Sequence, residues 1–375
     1  MHPCILYIYM DRLWNTSAGI VGIDISDNAI VYAEIVPTKE GHALRRFGEV
    51  ALPVGVVEKS VVVDAERLAG ALRTLARTHR ISSARASIGH EASHTLRMRI
   101  PVVSDSEIRP LVARMLEERF SAESNSLVFD YSISERALEH IELIVHVSPK
   151  HVVDSHADVF SRAGITLVSL APKSRALIGA LTHPSETEAT LIVDITESNT
   201  TATVVIGGVV ASVSLLDFSS RQLDSDISPT FESAYPHMLR LKEAIRSCFL
   251  QWHLSVSTAG SPEVTIGKVI LAGRNASFTG LAQYLSETLA AKVVVADPWR
   301  HVQLPPSEVP AISRSHAPRY ATAIGLSIMG DAFGTLLPEN ARNYFRRARA
   351  IKVAILALLW VSVFSFVVFI FSVSI

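Results

Sequence analysis

One short pattern occurs twice in this chain, and it constrains the fold more than anything else. VGIDISDNAIVYAEI, residues 21–35, reads as an apolar strand that ends in an acid, Asp24, then a polar turn and a second strand. TLIVDITESNTTATVVI, residues 190–206, repeats it with Asp194 in the same place, about 170 residues further on. An acid-ended hairpin written twice predicts two related lobes that face each other. A third unit, KVILAGRNASFTGLAQYLSETLAAKVVVADP, reads strand, glycine turn at Gly273, helix and strand, which is an α/β unit.

The segments between fill in the plan. Strand signals at ALRRFGEVAL, ARASI and TLRMRIP surround DAERLAGALRTLARTH, where Leu68, Leu72 and Leu75 share a helical face. SDSEIRPLVARMLEERF opens on cap candidates at Ser104 to Ser106, and Gly164 stands where a second helix should end. Residues 84–164 are thus expected to form a β-α-β-β-α insertion. The polar segment THPSETEA, residues 182–189, marks a lobe boundary. The expected domains are a tail over 1–18, a first lobe over 19–183, a second over 184–332, a juxtamembrane segment over 333–352 and a transmembrane helix over 353–375.

That last expectation rests on VAILALLWVSVFSFVVFIFSVSI, which carries no charge and would reach about 35 Å as a helix. Arg342, Arg346, Arg347, Arg349 and Lys352 precede it, and clustered cations beside a span stay on the cytoplasmic side. A single-pass protein of a bacterial inner membrane, with its large N-terminal domain in the cytoplasm, is the location this predicts. The 35 basic against 36 acidic side chains leave no cationic excess for nucleic acid. Cys4 and Cys248 are too few and too far apart for a disulfide framework or a cysteine-rich zinc site.

GIDI, IPVVSDSEIRPLV, FDYSI, AGITLVSLAPKSRAL, LIVDI, VILAG and ATAIGLSI, in this order over residues 19–330, resemble the actin-like ATPase superfamily. Within it the chain is similar to the PilM family of type IV pilus assembly proteins, and more distantly to FtsA and to the cytoplasmic part of GspL. The fold this implies is α/β and actin-like, two RNase H-like lobes with a small insertion. FGTLLPENARNYFRRARAIK, followed by one apolar span, is similar to the start of PilN, whose short Asn-Leu-Leu-Pro tail PilM grips. Leu336, Leu337 and Pro338 match that tail, and Thr335 stands where asparagine is expected. The resemblance implies partners of PilN and PilO type and on the pilus ATPase side, a membrane reached through the C-terminal helix, and self-assembly. A short tether would also favour docking of the TLLP segment on the chain's own groove or a neighbour's.

The same resemblance implies a nucleotide between the hairpins. ATP would lie against Asp24, Ser26, Asn28, Asp194, Thr200, Thr201 and Gly273, with Mg²⁺ held through water by Asp24 and Asp194. Departures cluster at those contact points. Ile25, Ser26, Asp27 and Asn28 replace the expected glycine and serines, and Thr196 and Glu197 replace a glycine pair. Arg274 and Asn275 follow Gly273, and Leu223 and Asp224 stand near Arg221 where another glycine pair is usual. A carboxylate 4 Å from a phosphate costs about 4 kcal/mol at an effective dielectric near 20. A pseudo-ATPase scaffold is favoured over a working site, with a GspL-like secretion component or an ATP-using relative of sugar kinases as alternatives.

HEASH, His90 to His94, matches a zinc-protease spelling, but it sits between strands and not on a helix, so its two imidazoles are expected too far apart to share an ion. No nucleophile elbow and no phosphate-binding P-loop sequence occurs.

Overall fold

A computed structural model of the chain describes residues 20–39, 41–121, 126–183, 185–186, 188–220, 231–258, 265–300, 302–304, 315–329 and 335–337. By internal contacts the chain divides into residues 1–336 and 337–375. The elements run β1 (Val21–Ile25), β2 (Ala29–Thr38), β3 (Gly41–Ala51), β4 (Val57–Glu58), β5 (Val61–Val62) and α1 (Ala65–His79). Then come β6 (Ser83–Ile88), β7 (His94–Pro101), α2 (Asp105–Phe120), β8 (Leu127–Arg136), β9 (His140–Pro149), α3 (Lys150–Arg162), β10 (Thr166–Pro172) and α4 (Lys173–Leu181). The second half has β11 (Ala189–Ile195), β12 (Thr200–Ile206), β13 (Val209–Leu216), α5 (Phe231–Thr258), β14 (Ile266–Ala272), α6 (Leu281–Leu289), β15 (Lys292–Val295), β16 (Val302–Gln303) and α7 (Ala321–Ile328).

The repeated pattern becomes a repeated topology. β1 pairs antiparallel with β2 and parallel with β6, while β11 pairs antiparallel with β12 and parallel with β14. The first sheet has the order β10-β6-β1-β2-β3-β16 and the second β13-β12-β11-β14-β15. Both middle strands are buried on both faces, which is why they read as unbroken apolar runs and not as alternations.

Local signals are met where the chemistry is local. Leu68, Leu72 and Leu75 of α1 are buried, and the Asp64 carboxylate caps the helix by accepting from the Arg67 N–H at 3.0 Å. Ser104 and Glu107 form a capping box at the start of α2. Beyond α3, Gly164 takes a φ of 74°, which a side chain rarely adopts.

Sheet pairing redraws the expected insertion of residues 84–164. β6 lies in the first sheet between β1 and β10, and α3 packs on α1, with Arg73 donating to the Arg162 carbonyl at 3.1 Å. What stands apart is β7, α2, β8 and β9, a sheet of order β7-β9-β8 whose core is Met98, Ile100, Ile108, Val112, Leu116 and Leu143. β16 and α7, expected in the second lobe, belong with the first sheet: β16 pairs parallel with β3, and α7 packs on β1 and β2. Helix α7 also meets α4 closely, because a Cβ on Gly325 would lie 1.8 Å from the Ala176 carbonyl oxygen of α4.

One apolar cluster ties the parts together. Ile144 of the insertion, Leu177 and Ile178 of α4, Ile192, Val205 and Ile270 of the second sheet and Ala321 of α7 share a core. At roughly 1.5–3 kcal/mol per large buried side chain, this is a substantial joint between the lobes.

The expected fold class needs one correction. The two-lobed α/β architecture is present, but among the described residues no helix is long and apolar enough to cross a membrane. The longest, α5, would reach about 42 Å but carries Arg240, Lys242, Glu243 and Arg246 along its middle. The transmembrane helix expected over 353–375 lies outside the described residues, as do the tail over 1–18 and nearly all of the juxtamembrane segment.

Candidate functional site

Asp24 and Asp194 each sit one residue before the end of a central strand, so the two hairpins bring them to the mouth of one cleft. Both are buried. Asp24 accepts a hydrogen bond from the Ser87 hydroxyl at 2.6 Å, and Ser87 is held there by the parallel pairing of β6 with β1. Between the two acids stands a residue the sequence reading did not single out, Lys173. Its Nζ lies 3.3 Å from Asp24 Oδ2 and 3.1 Å from Asp194 Oδ2.

Lys173 is the first residue of α4, where the helix macrodipole disfavours a cation. Burial would also push its ammonium down, but the carboxylates of Asp194 and Asp24 more than offset this and hold it above the usual lysine range. The signal available in sequence was a lysine set in an apolar run, LVSLAPKSRAL, directly after a proline.

The remaining predicted residues serve the turns themselves. Ser26 donates its hydroxyl to Asn28 Oδ1 and to the Ala29 carbonyl, both at 3.1 Å. Asn28 reaches across the cleft and donates its amide to the Glu197 carboxylate, so one hairpin tip is bonded to the other. Thr201 lies opposite Asp194 in the register of the second hairpin, and Thr200 is buried with no partner for its hydroxyl among the described residues. Thr196, in place of a glycine, closes its turn by donating its hydroxyl to the Asn199 carbonyl at 2.8 Å.

Gly273 does what only glycine can there. Its φ is 91°, and a Cβ would lie 2.3 Å from the Ile195 carbonyl oxygen and 2.7 Å from Asp194 Oδ1. The next residue, Arg274, donates to Glu49 Oε1 at 2.8 Å, while Arg319 donates to Glu49 Oε2 at 2.7 Å. Glu49 belongs to β3 in the first sheet and Arg274 follows β14 in the second, so this carboxylate links the two sheets, and Arg274 Nε also lies 3.7 Å from Glu197 Oε1 at the second hairpin's tip.

The cavity left between these contacts is about 80 Å³. Sites that enclose a small molecule run to about 300–1,000 Å³. Asp27, Glu49, Glu91, Asp194 and Glu197 all line it, against Lys173, Arg274 and Arg319. Burial, first of all, pushes the Glu91 carboxyl up. In this arrangement Mg²⁺ does not fit between Asp24 and Asp194, because an ammonium already lies there.

HEASH occupies the turn between β6 and β7. Its His90 and His94 rings meet edge to face at 5.7 Å between centroids, closer than their spacing suggested. Burial, then the neighbouring His94, pushes His90 down to about 4. Among the described residues no group of three or more histidine, cysteine, aspartate or glutamate side chains could hold a metal. Arg221, Leu223 and Asp224 lie outside the described residues.

The TLLP segment is described at residues 335–337. Leu336 is fully buried; its backbone N–H donates to the Leu170 carbonyl at 2.8 Å. The Leu170 N–H donates to the Thr335 hydroxyl at 3.1 Å, and the Thr335 N–H donates to Asp130 Oδ2 at 3.0 Å. Leu170 belongs to β10, the edge strand of the first sheet, and Asp130 to β8 of the insertion. Pro338 lies outside the described residues.

Comparison with known proteins places this geometry. The sequence model of the type IV pilus assembly protein PilM matches residues 22–244 and 234–330. Among solved structures, a PilM-PilN type IV pilus biogenesis complex superposes with a TM-score of 0.70 at 18% identity, covering 83% of this chain and 98% of that one. The ethanolamine utilization protein EutJ from Carboxydothermus hydrogenoformans follows at 0.46 and 16%, covering 84% and 90%. The cytoplasmic domain of EpsL, from the type II secretion system of Vibrio cholerae, gives 0.42 and 10%, covering 68% and 82%. The last two are distant enough to carry no weight here. No curated protein matches in sequence. With the model spanning most of its length and the two-lobed fold shared with the first of these structures, the chain belongs to the PilM family of type IV pilus assembly proteins.

Proposed function

We propose that this protein is an assembly scaffold for a type IV pilus, an actin-like body that receives extended tails along the edge of β10 and works with its interlobe cleft closed. One observation carries the reading: the chain's own Leu336 is fully buried and bonded to Leu170 on that edge. An exposed sheet edge offers unpaired backbone groups, and an extended segment that joins it takes affinity from main-chain bonds and specificity from side-chain pockets. Thr335, at the position where the resemblance led us to expect asparagine, supplies the side-chain oxygen that Leu170 needs.

Leu336, Leu337 and Pro338 are then an internal ligand of the kind a PilN-like partner would present. A short tether raises the local concentration to about millimolar, so an incoming tail competes with a resident one. PilO-like proteins, the pilus ATPase side and further copies of the chain are the other partners of this reading, which sets the body on the cytoplasmic side. The lysine between the aspartates and the small cavity speak against an enzyme that turns over ATP.

The test is binding of a fluorescent GTLLPEN peptide to the full chain and to its Leu336→Asp/Leu337→Asp variant. At least tenfold tighter binding to the variant is expected, since its groove is free. Equal affinity, or binding that Asp130→Ala leaves unchanged, rules the groove out. Calorimetry with Mg·ATP tests the cleft separately, and micromolar binding would overturn the closed reading.

A further inference from the structure

We propose that the Lys173 ammonium is a built-in replacement for a divalent cation, joining Asp24 and Asp194 and so latching the two lobes without any metal. The inference rests on the reading of the cleft as one that works closed.

Two buried carboxylates at the ends of facing strands repel each other, and such a pair stays ionised only with a positive charge shared between them; otherwise one of the two holds a proton. Here that charge comes from the chain. Lys173 Nζ is 3.3 Å from one Oδ2 and 3.1 Å from the other, an ion pair with both and, for the closer one, at ordinary hydrogen-bond distance. Mg²⁺ requires oxygen ligands at about 2.0–2.1 Å or an ordered water shell, and an ammonium on the same two oxygens leaves room for neither.

The placement also goes against local preference. A lysine at the first position of a helix faces the positive end of the macrodipole, and nothing in α4 itself favours it there. Only the acids across the cleft do. Asp24 comes from the first sheet, Asp194 from the second, and Lys173 from the junction of β10 and α4, so one ammonium ties three separate elements. Ser87, donating to Asp24 Oδ1, fixes the orientation of that carboxylate.

The experiment uses Mn²⁺ alone as the probe, without nucleotide, on the full chain. Uptake is followed by the loss of the free-ion paramagnetic resonance signal, with thermal unfolding alongside. The unsubstituted protein and Lys173→Arg, which keeps a cation, should take up no Mn²⁺ at this site. Lys173→Met should gain a single site and a midpoint of unfolding that rises with Mn²⁺. The neutral variant Lys173→Met/Asp24→Asn/Asp194→Asn should lose both effects. If Lys173→Met folds only when Mn²⁺ is added, the replacement is supported; if it stays unfolded in Mn²⁺, or folds and takes up none, the proposal is overturned. Uptake by the unsubstituted protein that Asp24→Asn abolishes also overturns it, while leaving the scaffold reading intact, whereas heat with Mg·ATP bears on that reading instead.

Discussion

A Cβ built on Gly22 would lie 1.9 Å from the carbonyl oxygen of Ala323. Strand β1 and helix α7 therefore meet backbone to backbone, and no side chain fits between them. Gly22→Ala is expected to lower stability by about 1–3 kcal/mol, the usual range for an overpacked core. Gly325→Ala, facing Ala176 from the other side of the same helix, should do likewise. Urea unfolding checks both, and unchanged midpoints would contradict the close approach.

Glu49 holds Arg274 and Arg319 with one oxygen each. Because Arg274 is partly exposed, the clamp should weaken as salt rises. We expect Glu49→Gln to cost about 1 kcal/mol at low ionic strength and less at high, a charge-assisted bond discounted for exposure. Hydrogen exchange around residues 273–276 should quicken in the same variant. Equal costs at both salt levels would show that the charges do not carry the contact.

Burial, then the charge of Arg175, pushes the His146 imidazole down to about 3. Its Nδ1 lies 3.0 Å from the Thr95 hydroxyl, and its Nε2 has no partner among the described residues. The folded value lies below the unfolded value near 6.5, so the unfolded chain takes up the proton first. The stability His146 contributes is thus present above about pH 6.5 and lost as pH falls toward 3, at up to roughly 1.4 kcal/mol per unit. His90, pushed down to about 4, adds a loss of the same sign. Urea unfolding at pH values near 7, 6 and 5 should show the decline, and His146→Gln should flatten part of it.

The Leu336 amide, bonded to Leu170, is expected to exchange slowly with solvent. Thr335→Val removes the acceptor for the Leu170 N–H, and a buried donor left unpaired costs about 1–3 kcal/mol. Exchange at Leu336 should then quicken by tenfold or more. An amide that exchanges fast in the unsubstituted protein would show that the tail does not rest on β10.

Much of the fold was legible because its cues are local. GIDI and ATAIGLSI each carry the glycine that close packing demands, at Gly22 and Gly325, and VILAG carries Gly273 at a turn where φ is positive. The Ser104 capping box and the Leu68, Leu72, Leu75 face were equally local. What was missed is pairing across long stretches of chain. β6 looks like part of the insertion because it precedes β7 directly, yet its partners β1 and β10 come from far along the sequence on either side. Lys173 was not singled out, since a single sequence holds no record that Asp24 and Asp194 converge on it. Asp24, Ser26, Asn28, Asp194, Thr201 and Gly273 do line or flank one cleft, but most are occupied with each other and with their own turns.

Leu170, which receives the tail, and Lys173, which lies between the two aspartates, are separated only by Ala171 and Pro172. Three peptide steps span at most about 10 Å, and the proline removes one of their freedoms. A deletion or a register slip in this stretch would therefore disturb both contacts together, which couples the seat of the tail to the link between the aspartates.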